Sequence, residues 1–157
     1  MLRISRITDY GTMILVHLAT RGGRVCSASD VAAGTHVALP TVQKILKLLT
    51  RSGLVVSSRG ADGGYSLGRP AEAISAAEIL DILDGPVAIT ECSHSDSQCE
   101  LEALCPVGGA WQKINRAIHA ALDDITLADL ARPARDLPVH ALTHGIARTV
   151  HRHDRNR

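Results

Sequence analysis

Phenylalanine is absent from this chain, and one Trp and two Tyr are its only aromatic residues. Any core must therefore be built from Leu, Ile, Val and Ala. Long apolar runs are missing too: no stretch reaches the roughly 20 apolar residues that a membrane-spanning helix needs. The opening MLRISRITDY lacks the apolar centre of a secretory signal. A soluble, cytoplasmic protein without membrane contact is the expectation. Phosphate-loop, nucleophile-elbow and paired-histidine metalloprotease patterns are lacking as well, so an enzyme is not expected.

The near-zero net charge of +1 conceals a strong polarity. Residues 1–70 hold nine Lys/Arg against three Asp/Glu, residues 71–131 hold two against eleven, and residues 132–157 hold six against two. A basic first half suits a polyanion such as DNA, which an acidic middle would repel. Solvated faces alone could give the same asymmetry. At 157 residues the chain has room for one good core and an appendage.

Cysteine is scarce, yet three of the four cysteines fall in ECSHSDSQCELEALCP, residues 91–106. Six residues separate Cys92 from Cys99 and five separate Cys99 from Cys105, among small, polar and acidic neighbours without helical or strand period. That composition reads as a loop. Thiolates are soft ligands that suit iron–sulfur clusters, zinc or copper, and a loop can wrap such a centre. Three thiolates leave one ligand to be supplied. Unconnected thiols are usually buried singly, and stable disulfides are rare in the cytosol. Zinc is the stronger rival, although structural zinc sites usually show close Cys-x2-Cys knuckles, which this loop lacks. The lone Cys26 reads as a small buried apolar residue.

In the first half, Ile7, Tyr10, Gly11, Ile14 and Leu18 recur at helical spacing, with Ser5 and Thr8 available as caps. Asp9 falls in the first turn, where the helix dipole favours an acid. After the turn Arg21-Gly22-Gly23-Arg24, Ser27 or Ser29 caps a short helix closed by Gly34, and Pro40 fits the first turn of the next. Val42, Ile45, Leu46 and Leu49 make an apolar stripe there, while Thr41, Gln43, Lys44, Lys47 and Arg51 occupy the other sides. Gly53 is placed to end that helix. A short helix, a tight turn and a basic amphipathic helix are what put a recognition helix into a major groove. An ordinary helical hairpin with a wet polar face is the plainer alternative. The next stretch argues against it: Leu54 to Arg59 and Tyr65 to Leu67 read as strands around a Gly-rich turn. A hairpin in that position is a wing, with Arg59 at its tip able to enter a minor groove.

Ser75-Ala76-Ala77-Glu78 reads as a capping box opening a helix through Leu83. After the cysteines, Trp111, Ile114, Ala117 or Ile118, Ala121 or Leu122, and Ile125 keep three-to-four-residue spacing, which predicts a helix over 107–125 that packs on a partner. The fold class is therefore mainly α: a winged helix-turn-helix with a two-stranded wing and a long C-terminal dimerisation helix. Residues 1–85 form the DNA-binding domain, 86–106 the cysteine loop, 107–131 the dimerisation helix region and 132–157 a basic, His-rich tail.

LRISRITDYG at the start, LTRSGLVVSSRGADGGYSLGR at the wing, and three cysteines before a Trp-bearing helix resemble the winged-helix regulators that include IscR and NsrR. RITDYG is most similar to regulators of the SUF iron–sulfur assembly operon. The resemblance covers residues 1–131 and implies that Cys92, Cys99 and Cys105 hold a two-iron or four-iron cluster. IscR-like members add a histidine three positions after the last cysteine, where this chain has Gly108. NsrR-like members use an aspartate from the first helix of the other subunit, and Asp9 matches it. His94 and Glu100 are alternative local ligands.

The resemblance also implies DNA contacts from Pro40, Thr41, Gln43 and Arg59. Lys44 and Lys47 join them on charge and spacing. The expectation is a homodimeric, cytoplasmic repressor on double-stranded operator DNA, sensing an iron–sulfur cluster and controlling cluster-assembly genes. Rival readings are nitric oxide, iron or redox sensing on the same fold through a cluster, zinc or thiols, and an electron-transfer protein, for which a basic winged helix would serve no purpose.

Overall fold

Thirteen residues of near-ideal amphipathic pattern set the architecture: α3 (Leu39–Arg51) buries Val42, Ile45, Leu46 and Leu49 and leaves its basic side in solvent. The computed structural model describes residues 4–60, 62–90 and 105–132. Its elements run α1 (Arg6–Ala19), α2 (Ala28–Thr35), α3, β1 (Val55–Ser58), β2 (Gly64–Leu67), a 3-10 turn (Ala71–Ala73), α4 (Ala76–Leu83), α5 (Gly108–Asp123) and α6 (Leu127–Leu130). The strands pair antiparallel in the register Val55 with Leu67 and Ser58 with Gly64. Cys26 adds one bridge to the far side of β2, donating to the Tyr65 carbonyl at 2.9 Å and accepting from the Tyr65 N–H at 2.8 Å. The mainly α, winged-helix expectation holds.

Local chemistry explains most boundaries. The Ser5 hydroxyl accepts from the Thr8 N–H and caps α1, satisfying one of the amides a helix start leaves unpaired. Ser27 with Asp30 and Thr126 with Asp129 form complete capping boxes. Hydrogen bonds from the Ser27 and Thr126 hydroxyls are the main reason both carboxylates are held below their usual range.

Three local expectations are corrected. Helix α2 does not stop at Gly34 but continues to Thr35 and ends on His36 in the left-handed conformation, φ 58°. Gly34 is instead a packing glycine: a Cβ there would stand 2.0 Å from Cε1 of His17 on α1. At Ser75 only half a capping box forms, because the Glu78 side chain pairs with Arg69. Ile7 points to solvent, and Leu15 takes its expected place in the core.

The core is aliphatic, as the missing rings require. Ile14, Leu15, Leu18, Val31, Val42, Ile45, Leu46, Leu49, Leu54 and Ile74 are fully or almost fully buried. Leu127 joins them from 60 residues beyond Leu67, the last residue of the wing. The Leu127 N–H donates to the Ile74 carbonyl at 2.8 Å and the Ala76 N–H to the Ile125 carbonyl at 2.7 Å. Helix α5 therefore leads back into the domain instead of trailing away. Among the described residues, no helix is long and apolar enough to cross a membrane.

Removing the Leu127 side chain opens a cavity in a fully buried site, so Leu127→Ala is expected to destabilise by about 2–5 kcal/mol in urea unfolding. Leu130→Ala, at a partly exposed position on the same turn, should cost well under half as much. Burial pushes the His17 imidazole below its usual range, Arg21 adds to this and Asp30 opposes it. The native state thus holds His17 neutral while the unfolded chain takes up a proton near pH 6.5. Stability is retained above that pH and falls as pH drops through it toward the depressed native value. In His17→Gln this part of the slope should vanish, measured by unfolding at about pH 7.5 and about pH 5.5.

Candidate nucleic-acid interface and cysteine junction

At about 100° per residue, Pro40, Gln43, Lys44, Lys47 and Arg51 fall on one side of α3, opposite the buried stripe, and all five are exposed. Thr41 lies at the edge of that face and is half-buried. The first turn of α3 contains Pro40 and no acidic residue, so the positive end of the helix dipole stays available to a phosphate.

The wing follows from backbone approach. A Cβ at Gly63 would meet the Ser58 carbonyl at 2.5 Å, and one at Gly64 would meet the Cys26 carbonyl at 2.5 Å. Glycine is required at both. The Gly63 N–H closes the turn on the Gly60 carbonyl at 3.0 Å, leaving Ser57, Ser58 and Arg59 exposed at the start of the tip. Lys44, Lys47, Arg51 and Arg59 take part in none of the ion pairs among the described residues, which are Arg69 with Glu78, His119 with Asp81 and Arg132 with Asp129.

Cys92, Cys99, His94 and Glu100 lie outside the described residues, as does the chain beyond Arg132. Cys105 is a free, half-buried thiol just ahead of α5. Gly108 is buried beside it: a Cβ at this position would lie 3.6 Å from the Cys105 Cβ and 3.8 Å from its Sγ. At the other edge of the junction, the Ile89 N–H donates to the Asn115 side-chain oxygen at 3.2 Å. The segments on both sides of 91–104 are thus tied to α5.

The entry side is also tied to α1. The Asp84 carboxylate accepts from the Ser5 N–H at 3.1 Å. Burial pushes the Asp84 carboxyl up, but hydrogen bonds from Ser5 and Thr8 outweigh it and hold the group below its usual range. Asp9 sits in the same turn of α1, exposed and outside the ion pairs named above. Asp84, Asn115 and His36 escaped the sequence reading. The Ser5–Asp84 bond spans 79 residues, and no local pattern signals a contact at that range.

Helix α5 packs on α4, where His119 Nε2 lies 3.3 Å from Asp81 Oδ2. Its other side is open, with Trp111 39% and Ile114 44% exposed. Ile118 and Leu122 line an apolar groove of about 720 Å³ with Ile4, Leu80 and Val87.

A family model described as "Rrf2: Iron-dependent Transcriptional regulator" matches residues 4–133. The chain belongs to the Rrf2 family. Protein rrf2 of Nitratidesulfovibrio vulgaris is 29% identical over 141 residues, 89% of this chain and 94% of the relative. Among solved structures, CymR (YrzC), the global cysteine regulator of B. subtilis, is 33% identical with a TM-score of 0.66, over 83% of this chain and 97% of its own. T. potens IscR is 29% identical with a TM-score of 0.62, over 82% of this chain and 85% of its own. The chain is accordingly a transcriptional regulator of winged-helix fold.

Proposed function

We propose that this Rrf2-family chain is a homodimeric repressor of iron–sulfur assembly genes that reads operator DNA with α3 and the wing and responds to an iron–sulfur cluster. The observation that carries the reading is where the cysteine run is fastened. Its flanks are held to α5 by Asn115 and by the Cys105–Gly108 approach, and to the first turn of α1 by Asp84. A change of state at the run would bear on the start of the DNA-reading domain and on the candidate dimer helix together.

By task, the chain divides into a DNA-binding domain over 1–85, a cysteine loop over 86–106, a dimerisation region over 107–131 and a basic tail over 132–157. Pro40, Thr41, Gln43, Lys44 and Lys47 would face the major groove and Arg59 the minor groove. The open apolar side of α5, with Trp111 and Ile114, is the surface offered to a second copy.

Cys92, Cys99 and Cys105 would hold the cluster, with Asp9 of the partner subunit as fourth ligand and His94 or Glu100 as local alternatives. The one described cysteine of the set fits: its thiol is free and half-buried, and Gly108 brings no side chain over the sulfur. The Asp9 carboxylate, exposed and outside the ion pairs among the described residues, is suited to reach another subunit. When bound, the cluster supplies a two-iron or four-iron centre whose integrity tracks iron, oxygen or nitric oxide. Regulation requires that the two states of the protein differ in operator affinity, since equal affinity transmits nothing.

A second reading keeps the fold and uses the same cysteines as thiols or zinc ligands; Staphylococcus aureus CymR, 29% identical, has a solved oxidized form, which favours thiol chemistry. Visible absorption with iron and sulfide assay on protein purified without oxygen separates the two, combined with operator titration of both forms at fixed salt. A coloured protein whose DNA affinity changes on cluster loss supports the cluster reading. A colourless protein that resists reconstitution yet binds DNA supports thiols or zinc.

Two expectations follow for variants. Cys99→Ala should lose the visible spectrum, whereas Asp9→Ala should keep it but bleach several-fold faster in air. Adding Gly108→His to Asp9→Ala places an imidazole over Cys105 and should restore the lifetime; an unchanged lifetime in Asp9→Ala itself returns the fourth position to His94 or Glu100. On DNA, Lys47→Ala should weaken binding evenly across sequences and lower the salt slope by about 1. Gln43→Ala should cost about 1–3 kcal/mol on the preferred operator and relax selectivity at one base pair.

A further inference from the structure

A second cluster of chemically able side chains lies away from both the DNA face and the cysteine junction. The end of α1, the following turn and the outer side of α2 enclose a cleft of about 500 Å³. Gly22 and Gly23, both with positive φ and no atom near a would-be Cβ, turn the chain so tightly that the Arg24 N–H donates to the Arg21 carbonyl at 3.2 Å. Both arginines line the cleft as a result. His17 lines it from α1, and its Nε2 is buried with no hydrogen-bond partner among the described residues. Its ring lies so close to Gly34 that any side chain at 34 would displace it.

We propose that this cleft binds a small organic oxyanion, a carboxylate or a phosphate ester, gripped by Arg21 and Arg24 with His17 Nε2 completing its hydrogen bonds. A buried ring nitrogen without a partner is uncommon, because the lost hydrogen bond to water is not replaced. A ligand oxygen replaces it once the ring turns slightly toward the cleft, because Nε2 is buried as the ring sits. Guanidinium groups present planar paired donors that match carboxylate and phosphate oxygens. The cleft's one acid, Asp30, is committed through Oδ2 to the Ser27 N–H at 3.1 Å and hydroxyl at 2.7 Å, so the two arginines leave an excess of positive charge. The donor set does not suit a metal: among the described residues no three His, Cys, Asp or Glu side chains converge. The volume exceeds what a bare phosphate fills and leaves room for an organic portion over Val25 and Ala33. Burial and the charge of Arg21 keep the imidazole neutral near neutral pH, consistent with a donor at Nε2 in place of a third cation. Because α2 packs on α3, an occupant would brace the support of the recognition helix from behind.

The proposal does not rest on the cluster reading, and its test uses the cysteine-intact full-length protein. Imidazole resonances and thermal unfolding are followed while inorganic phosphate or succinate is added at constant ionic strength, with chloride as the matched control. A saturable shift of the His17 nitrogens and a rising melting temperature, with affinity weakened about tenfold or more in Arg21→Ala/Arg24→Ala, is the expected result. Both arginines are exposed, so this variant should fold, and His17→Gln supplies a second variant with the same expected weakening. A response equal to that of chloride, a saturable response undiminished in the double variant, or a His17 shift produced by duplex DNA alone would each overturn it.

Discussion

The rotation of α3 about its own axis is the constraint on which the rest of this molecule depends. Burying Val42, Ile45, Leu46 and Leu49 contributes roughly 1.5–3 kcal/mol per side chain, whereas an exposed charge pair contributes about 1 kcal/mol or less. The apolar stripe therefore decides which way the helix faces, and the basic side is outward by consequence. No charge on Lys44 or Lys47 needs to hold that orientation. A regulator gains from this division, because residues that meet DNA can change without loosening the fold.

The same separation extends to the second half of the chain. Helix α5 touches the domain along α4 and returns through Ile125, Thr126 and Leu127 into the core. It is held at its far end by the clasp between Ile74 and Leu127 and near its start by the Ile89–Asn115 bond. A helix fixed in this way can leave one apolar side open without wandering. Within the functional reading advanced above, such fixing is what a dimer helix needs, since the spacing of two reading heads is set by how rigidly each is joined to the shared helix pair.

Much of this was legible in the sequence because the signals are local. The period of α3, Pro40 in its first turn, Gly53 after its end and the glycines of the wing each act within a few residues, and the structure follows them. The signals that misled were local rules overridden by a distant partner. Gly34 has the composition of a helix stop, yet its place is decided by the His17 ring on another helix, and the stop falls on a left-handed His36 that carries no sequence mark. Glu78 has capping-box spacing, but Arg69 offers a charged partner and takes it. Leu127 falls in the stretch expected to serve dimerisation, because sequence period says which face is apolar, not what covers it. At the candidate site the residue types were visible and their tethers were not: three thiols declare a soft-ligand chemistry, while Ser5–Asp84 and Ile89–Asn115 exist only through folding. Asp9 entered solely through resemblance, since an acid in a first helical turn is fully explained by the helix dipole.

Those tethers also limit how a signal could travel. An exposed loop hinged only at its own ends could change state without consequence for the helices, because nothing would oppose its motion. Here Asp84 is both the residue that ends α4 and an acceptor at the start of α1, so displacing it gives up a hydrogen bond to Ser5 and disturbs the cap of the helix against which α3 packs. Asn115 places a similar cost on moving the entry segment relative to α5. Each bond contributes about 1 kcal/mol, and two together amount to roughly a thirtyfold change in an equilibrium. Coupling energies of about that size are what allosteric regulators use. On the reading proposed above, the fold needs no large rearrangement to carry a useful signal: the gain or loss of two bonds at the junction is enough.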